Sequence, residues 1–408
     1  MKFGLLGETL GHSYSPQIHR LLGDTPYDLY EKAPDALEDF LKNGDFTGLN
    51  VTIPYKKAVI PYCTELTPRA KALGCVNTLV RRSDGSLIGH NTDYFGFETM
   101  VSHAGISVSG KKVLVLGSGG ASNTAVAVLN QLGARVVVIS RSGENNYGNL
   151  QLHADAAVIV NTTPVGMYPK TGVSPIDLDF FPQLEAVLDV IYNPTKTQLL
   201  LDAQKRGLIA CNGMRMLVAQ AKESAEWFLG HPLPDERIPS IYGKLKGQME
   251  NIVLIGMPGS GKTTVGRLLA EKTGRPFVDA DAAIVGAAGK SIPEIFRDDG
   301  EAAFRALETQ VLGQLGKQSG QILATGGGCV TRPENYDLLH QNGSVFCLER
   351  SIEQLPTEGR PLSQATTLEQ MYQQRKPMYQ HFADFHVSNN GSAEETAEAI
   401  LTLWEANL

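Results

Sequence analysis

Two short, largely apolar runs organise this chain, because each ends at a glycine-rich loop and is followed by a helical pattern. The first is Lys112-Val113-Leu114-Val115-Leu116 and the second is Asn251-Ile252-Val253-Leu254-Ile255. A brief unbroken apolar run is the pattern of a strand covered on both faces of a parallel sheet. After the first run the strand–helix rhythm repeats, with strands expected at Val113–Leu116, Val136–Ile139, Ala157–Asn161 and Ala186–Val190. That rhythm predicts a parallel sheet. Residues 1–92 alternate short apolar strands with helical segments. In this first unit the segment after 213 has no further strand, and its helical pattern Met216–Phe228 is expected to pack back across both preceding parts. After the second run come a helical pattern at Thr264–Lys272, a short strand Pro276–Asp281, whose alternate residues Asp279 and Asp281 are expected to face the phosphate site from one side, a helical stretch Glu301–Glu308 and a strand Ile322–Ala324.

The periodicity breaks between Gly230 and Ser240, where Pro232, Pro234 and Pro239 fall within eleven residues. Prolines without a hydrophobic period mark the end of one unit and a linker. The expected organisation is α/β throughout. A substrate domain, 1–92, is completed by 213–235; a dinucleotide-binding domain of Rossmann type spans 93–212; a linker, 236–249, leads to a P-loop domain, 250–408. A chain of 408 residues is too long for one ordinary core, which agrees with several domains. Apolar residues make up 42% and charged residues 19%, a globular and soluble composition. A net charge of −7 supplies no basic field, so nucleic acid is not an expected partner. No apolar run approaches the roughly 20 residues of a membrane helix. The strand-like segment Lys2–Leu6 begins at once, so no signal peptide is expected. Five scattered cysteines without a CxxC pair suit a reducing cytoplasm.

The two glycine loops differ in kind. Gly117-Ser118-Gly119-Gly120-Ala121-Ser122 has the form of a dinucleotide loop, in which bare backbone approaches a pyrophosphate placed on a helix N-terminus. Its sixth position is Ser122, where the generic fingerprint has glycine or alanine. The next strand ends at Ser140-Arg141 and not at an acidic residue, which suits the 2′-phosphate of NADP. The second loop, Gly256-Met257-Pro258-Gly259-Ser260-Gly261-Lys262-Thr263, fills every fixed position of a P-loop. Thr264 follows in the helix. Such a loop wraps nucleotide phosphates in backbone N–H groups, adds a lysine and puts a hydroxyl on Mg²⁺. One redox and one phosphoryl-transfer reaction are therefore expected.

Hydroxyl, amide and charged residues cluster in the first 96 residues. They lie in Ser13-Tyr14-Ser15-Pro16, Asn50-Val51-Thr52-Ile53-Pro54-Tyr55-Lys56, Cys75-Val76-Asn77-Thr78 and Gly89-His90-Asn91-Thr92-Asp93. Together they suit a small polyhydroxy carboxylate. With the GSGGAS loop, Asn161–Met167, Tyr192-Asn193-Pro194 and Gly213–Gln220, these segments make residues 1–240 resemble shikimate dehydrogenase over their whole length. The resemblance implies Lys56 and Asp93 as the catalytic pair. It implies Ser13, Ser15, Thr52, Asn77 and Gln220 as ligands of shikimate. Moving a hydride between a ring alcohol and a ketone requires one group to move the hydroxyl proton, and a lysine beside an aspartate can do so. The segment from Arg141 to Ala157 is shorter than in that family, so cofactor contacts beyond Arg141 are not assigned.

Residues 250–408 resemble shikimate kinase. The resemblance implies Lys262 on the β/γ-phosphates, Thr263 on Mg²⁺ and Asp279 holding Mg²⁺ through water. Asp281 would take a substrate hydroxyl as base, and Arg305 and Arg375 would clamp the carboxylate. Gly326, Gly327 and Gly328 would let backbone approach the ring, and Arg360 would be a lid arginine on the transferred phosphoryl group. No arginine lies between Glu353 and Glu358, so an adenine-stacking arginine is not assigned there. The expectation is a bifunctional cytoplasmic enzyme, monomer or homodimer, using NADP(H), ATP and Mg²⁺. It would reduce 3-dehydroshikimate and then phosphorylate shikimate. The alternatives are a dehydrogenase acting on quinate as well as shikimate, a kinase for another small polyol acid, or one half serving as a non-catalytic metabolite sensor.

Overall fold

Three sheets carry the chain. In the computed structural model, which describes residues 1–11, 13–23, 26–355 and 368–408, the first sheet is built from six strands. They are β1 (Phe3–Gly7), β2 (Tyr27–Glu31), β3 (Gly48–Val51), β4 (Glu65–Leu66), β5 (Thr78–Arg81) and β6 (Leu87–His90), in the order β2-β1-β3-β5-β6-β4. β1 is parallel to β2 and β3, and β5 is antiparallel to β3 and β6. The second sheet contains β7 (Lys112–Leu116), β8 (Arg135–Ile139), β9 (Val158–Asn161), β10 (Ala186–Asp189) and β11 (Ile209–Asn212), in the order β11-β10-β9-β7-β8. The third contains β12 (Asn251–Ile255), β13 (Phe277–Asp279), β14 (Ile322–Ala324), β15 (Gly343–Glu349) and β16 (Phe385–Ser388), in the order β13-β14-β12-β15-β16. Both of these sheets are parallel throughout. Val113–Leu116 and Ile252–Ile255 are buried along their whole length, as their apolar runs require.

The chain separates into two compact units. One holds Met1–Val165, Ser174–Tyr192 and Asp202–Gly243; the other holds Gly166–Val173, Asn193–Leu201 and Lys244–Leu408. The second unit thus takes in two short segments that precede it in sequence. Within it, the Thr195 N–H donates to Asn342 Oδ1 at 2.9 Å, and Gln198 Nε2 donates to Asp337 Oδ2 at 2.9 Å. Residues 237–249, expected as an irregular linker, form the helix Arg237–Met249. Pro239 does not prevent this, because it lies in the first turn, where a backbone N–H has no intrahelical acceptor. No helix among the described residues is long and apolar enough to cross a membrane.

In the first unit the helix Asp93–His103 packs on the helix Met214–Leu229, as the pattern beyond 213 predicts. The crossing is close at Gly96. A β-carbon there would lie 2.7 Å from the Met216 carbonyl oxygen and 3.0 Å from Gln220 Cβ. Gly96→Ala should therefore lower the thermal tolerance of this unit, because overpacking costs about 1–3 kcal/mol and exceeds the roughly 1 kcal/mol that alanine gains in a helix. Heat-inactivation curves check this through the activity of each unit. The activity carried by residues 1–243 should fall at lower temperature, and the activity of the P-loop unit should be unchanged.

Candidate functional sites

The first site forms at one edge of the mixed sheet. β1 and β3 run parallel, so the segments after Gly7 and after Val51 leave from the same edge. The antiparallel pairing of β3, β5 and β6 brings Asn77, before β5, and Asn91-Thr92-Asp93, after β6, to that edge as well. Backbone bonds fix the junctions. The Val51 N–H donates to Asn77 O at 2.8 Å, Thr52 N–H to Leu6 O at 2.9 Å, and Val76 N–H to Lys56 O at 2.8 Å. Lys56 Nζ then reaches Asp93 Oδ2 at 2.6 Å. Asp93 begins its helix, where the dipole favours a negative charge. Ser13 and Ser15 lie beyond β1, and the Ser15 N–H donates to Ser13 Oγ at 3.2 Å.

Behind this pair lies a buried polar network that motif spacing alone does not reveal. Asn77 Nδ2 donates to Thr92 Oγ1 at 3.0 Å, and Thr92 N–H donates back to Asn77 Oδ1 at 2.7 Å. Thr92 Oγ1 also reaches Gln220 Oε1 at 3.5 Å and shares a hydrogen bond of 3.0 Å with Ser224 Oγ. Ser224 accepts from Asn50 Nδ2 at 2.7 Å and meets Thr78 Oγ1 at 2.9 Å. Asn77 and Gln220 are thus oriented through Thr92. The signal for Ser224 is its spacing: it lies one helical turn beyond Gln220, on the same face.

The second site is the loop after β7. Gly117 has φ +105°, and a β-carbon there would lie 2.9 Å from Thr162 Oγ1. Gly119 and Gly120 have open space where a β-carbon would stand, at the start of the helix Gly120–Gln131. That is the surface a pyrophosphate requires, so the residues fit a dinucleotide. Ser118 is exposed and Ala121 half-buried, and Ser122 is 1% exposed and fills the close-packing position of the fingerprint. Gly117 N–H donates to Ile139 O at 2.8 Å, which sets Ser140 and Arg141, after β8, beside the loop. Arg141 is exposed and its charge lies near Tyr147, opposing the upward shift that burial gives that phenol. From Arg141 to β9 the only regular structure is the 3-10 segment Leu150–His153, in line with the shortened sequence.

The third site is a cavity of about 600 Å³ in the second unit. Around it stand Gly259, Gly261, Lys262, Thr263, Thr264, Asp279, Asp281, Arg305, Gly326, Gly327, Gly328 and Arg375, so the expected residues converge. The P-loop follows β12, with Gly259 and Gly261 in left-handed backbone at φ +83° and +94°. Ser260 is buried within it, and Asn389 Nδ2 donates to Ser260 O at 2.6 Å. Lys262 Nζ is held by the carbonyls of Gly256 and Met257 at 2.9 and 3.0 Å. Thr263 Oγ1 donates to Asp279 Oδ2 at 3.0 Å. A hydroxyl and carboxylates are hard oxygen donors, which fit Mg²⁺ completed by phosphate and water.

One expectation changes here. β13 ends at Asp279, so strand alternation does not bring Asp281 to the site; Asp281 lies in the first turn of the helix Ala280–Ala288. Asp279 caps that helix, accepting from the N–H groups of Asp281 at 3.0 Å and Ala282 at 3.3 Å, and the tight cap turns both carboxylates to one cavity. Arg360 lies outside the described residues. Glu308, which no motif marks, lines the same cavity. Its carboxylate, 1% exposed, accepts from Arg305 Nη1 at 2.7 Å, and burial raises its pKa against the pull of that guanidinium. The i, i+3 spacing on one helix was the available signal. Arg375 Nη1 donates to Gly327 O at 3.1 Å. Burial also pushes the Cys329 and Cys347 thiols up to about 12, which removes them as nucleophiles near neutral pH.

These sites define an α/β enzyme of two reactions, one dinucleotide-dependent and one P-loop phosphotransfer. Residues 5–79 match the family model of the shikimate dehydrogenase substrate binding domain, and residues 258–405 match that of shikimate kinase. The shikimate dehydrogenase (NADP(+)) of Clostridium perfringens (strain SM101 / Type A) is 35% identical over 266 residues, covering 60% of this chain and 98% of that protein. A crystal structure of a chorismate mutase/shikimate 5-dehydrogenase fusion protein from Clostridium acetobutylicum is 36% identical, with a TM-score of 0.57, over 60% of this chain and 96% of that one. The Thermus thermophilus shikimate 5-dehydrogenase, solved with NADP(H) and shikimate, is 28% identical with a TM-score of 0.55, over 60% of this chain and 99% of that one. The chain belongs to the shikimate dehydrogenase family and continues, in the same polypeptide, into a shikimate kinase domain. It is a bifunctional enzyme of the shikimate pathway.

Arg141 generates a prediction on cofactor choice. Arg141→Ala should weaken NADPH binding much more than NADH binding, because only NADPH loses a charge-assisted phosphate contact. Titrating both cofactors into both proteins checks this; an unmodified chain that prefers NADH contradicts the assignment.

Proposed function

We propose that this chain reduces 3-dehydroshikimate to shikimate with NADPH and then transfers the γ-phosphoryl group of ATP to the shikimate 3-hydroxyl. The supporting observation is that the described residues bring both constellations together: the Lys56–Asp93 pair at 2.6 Å, and a cavity that gathers P-loop, acid and arginines. Supplying 3-dehydroshikimate with NADPH, and in a separate assay shikimate with ATP and Mg²⁺, tests it. NADPH consumption must depend on 3-dehydroshikimate, and ADP release must depend on shikimate. Equal turnover of quinate would widen the first activity to the broader dehydrogenase.

In the first site, NADPH when bound supplies the hydride that reaches the carbonyl carbon. Lys56 Nζ, steered by Asp93, donates a proton to the carbonyl oxygen as negative charge grows there. Asp93 keeps the ammonium aimed and offsets its charge. Ser13, Ser15, Thr52, Asn77 and Gln220 bind the carboxylate and hydroxyls, and the Thr92–Ser224 network stiffens the last two. Ser140 and Arg141 take the 2′-phosphate. The same residues serve the reverse reaction, with the proton returning to Lys56.

In the second site, Asp281 accepts the proton of the substrate hydroxyl, whose oxygen forms the new P–O bond as the bond to ADP breaks. Gly256, Gly259, Ser260, Gly261 and Thr264 belong to the phosphate cradle, and Lys262 follows the developing charge. Mg²⁺ when bound neutralises phosphate oxygens, held by Thr263 and by Asp279 through water. Arg305, kept rigid by Glu308, and Arg375 grip the carboxylate. Gly328 makes room for the Arg305 guanidinium, which would lie 2.2 Å from a β-carbon at that position. The role of Arg360 as a lid arginine belongs to the same proposal.

Two outcomes follow. Lys56→Ala should lower dehydrogenase turnover by roughly 10²–10⁴, the scale of a lost general acid–base group, and leave kinase turnover intact. Near-normal dehydrogenase turnover in that variant would remove Lys56 from the mechanism. Arg305→Lys or Arg375→Lys should raise the KM for shikimate and barely change that for ATP, since a point charge cannot reproduce a bidentate fork. An equal loss for ATP would assign these arginines to the nucleotide.

A further inference from the structure

One arginine of the kinase cavity carries none of the roles above. Arg350 follows β15 and lines the cavity of about 600 Å³ together with Lys262, Thr263 and Arg375. It also lines a smaller cavity of about 210 Å³ with Met257, Ser351 and Asn390, so it forms part of the wall between the two. Its position follows from the sheet. β15 is the parallel neighbour of β12, with Cys347 opposite Ile255. One residue further, Leu348 O would lie 2.7 Å from a β-carbon on Gly256, so β15 ends against the first glycine of the P-loop. On the other side of Arg350, the Ser351 N–H donates to Asn390 Oδ1 at 2.8 Å. Asn389, the neighbour of Asn390, clamps the P-loop through Ser260 O at 2.6 Å. Arg350 therefore leaves the sheet between the P-loop and the loop that braces it.

The other arginines of the cavity are committed elsewhere. Arg305 is tied to Glu308 at 2.7 Å, and Arg375 to Gly327 O at 3.1 Å, both beside the three-glycine segment. Arg350 Nε is buried and has no hydrogen-bond partner among the described residues. A planar guanidinium with a free donor at the carboxyl end of the strand beside a P-loop suits phosphate oxygens, which its fork matches two at a time. We propose that Arg350 is a further nucleotide-binding residue of the kinase, contacting the triphosphate of ATP from the β15 side of the P-loop. This rests on the reading of the cavity as the ATP site.

The test uses the full chain and measures ATP binding by titration calorimetry without acceptor, then steady-state KM for ATP and for shikimate. Arg350→Ala should weaken ATP by roughly 10-fold or more, the scale of one charge-assisted hydrogen bond. The KM for shikimate and the dehydrogenase rate should stay as they are. Arg350→Lys should recover part of the ATP affinity, and Arg350→Gln, which keeps the bulk without the charge, should recover little. Unchanged ATP affinity in the alanine and glutamine variants overturns the proposal, as does an equal loss for ATP and shikimate. An unmodified chain that binds no ATP would instead refute the kinase reading itself, so the two failures are distinguishable.

Discussion

The structure depends on places where a side chain cannot exist. A β-carbon at Gly117 would collide with Thr162, one at Gly261 would lie 2.3 Å from Asn389 Nδ2, and one at Gly328 would overlap the Arg305 guanidinium. Gly117 and Gly261 also adopt left-handed backbone that other residues rarely enter. Each position sits just beyond the carboxyl end of a buried parallel strand, where open α/β sheets place their ligands. The apolar strands provide the rigid edge, and the glycines leave backbone N–H groups and arginines the room that a bound anion requires.

The charged groups are arranged to match. Lys56 and Asp93 are each partly exposed, at 28% and 14% of their side chains, so substrate can reach the pair. Arg305 and Glu308 are more deeply sunk, at 10% and 1%. A buried pair of this kind is weak evidence for stability, and its evident use is to fix the direction of one guanidinium. In the first unit the Asn50, Thr78, Thr92 and Ser224 network does the same for Asn77 and Gln220 with neutral groups. Neutral hydrogen bonds avoid the desolvation cost of charge and still leave one arrangement of donors and acceptors.

Much of this was legible in the chain. β7 and β12 appear as apolar runs ending in glycine, since burial on both faces leaves no polar alternation to confuse them. β8, β9 and β10 fall within a residue of their expected ends, whereas β11, Ile209–Asn212, went unmarked because it is short and partly exposed. The helix Arg237–Met249 was hidden by Pro239, whose effect depends on which turn it occupies. Among the sites, the glycine loops and the lysine–aspartate pair were visible as motifs. Glu308, Ser224 and Arg350 were not, because their functions arise from what the fold sets beside them. Asp281 was placed at the right cavity for the wrong reason, since a helix cap and not strand alternation turns it there.

The central claim is that one polypeptide passes a single metabolite through both reactions. The direct measurement is to incubate the full chain with 3-dehydroshikimate, NADPH, ATP and Mg²⁺ and to identify the products over time by mass spectrometry. The account predicts shikimate followed by its monophosphate, with NADPH oxidised and ADP released in equal amounts at completion. With Lys56→Ala, phosphate ester should form only when shikimate itself is added. Phosphorylation of 3-dehydroshikimate before its reduction, or NADPH oxidation with no phosphate ester from shikimate, would contradict it.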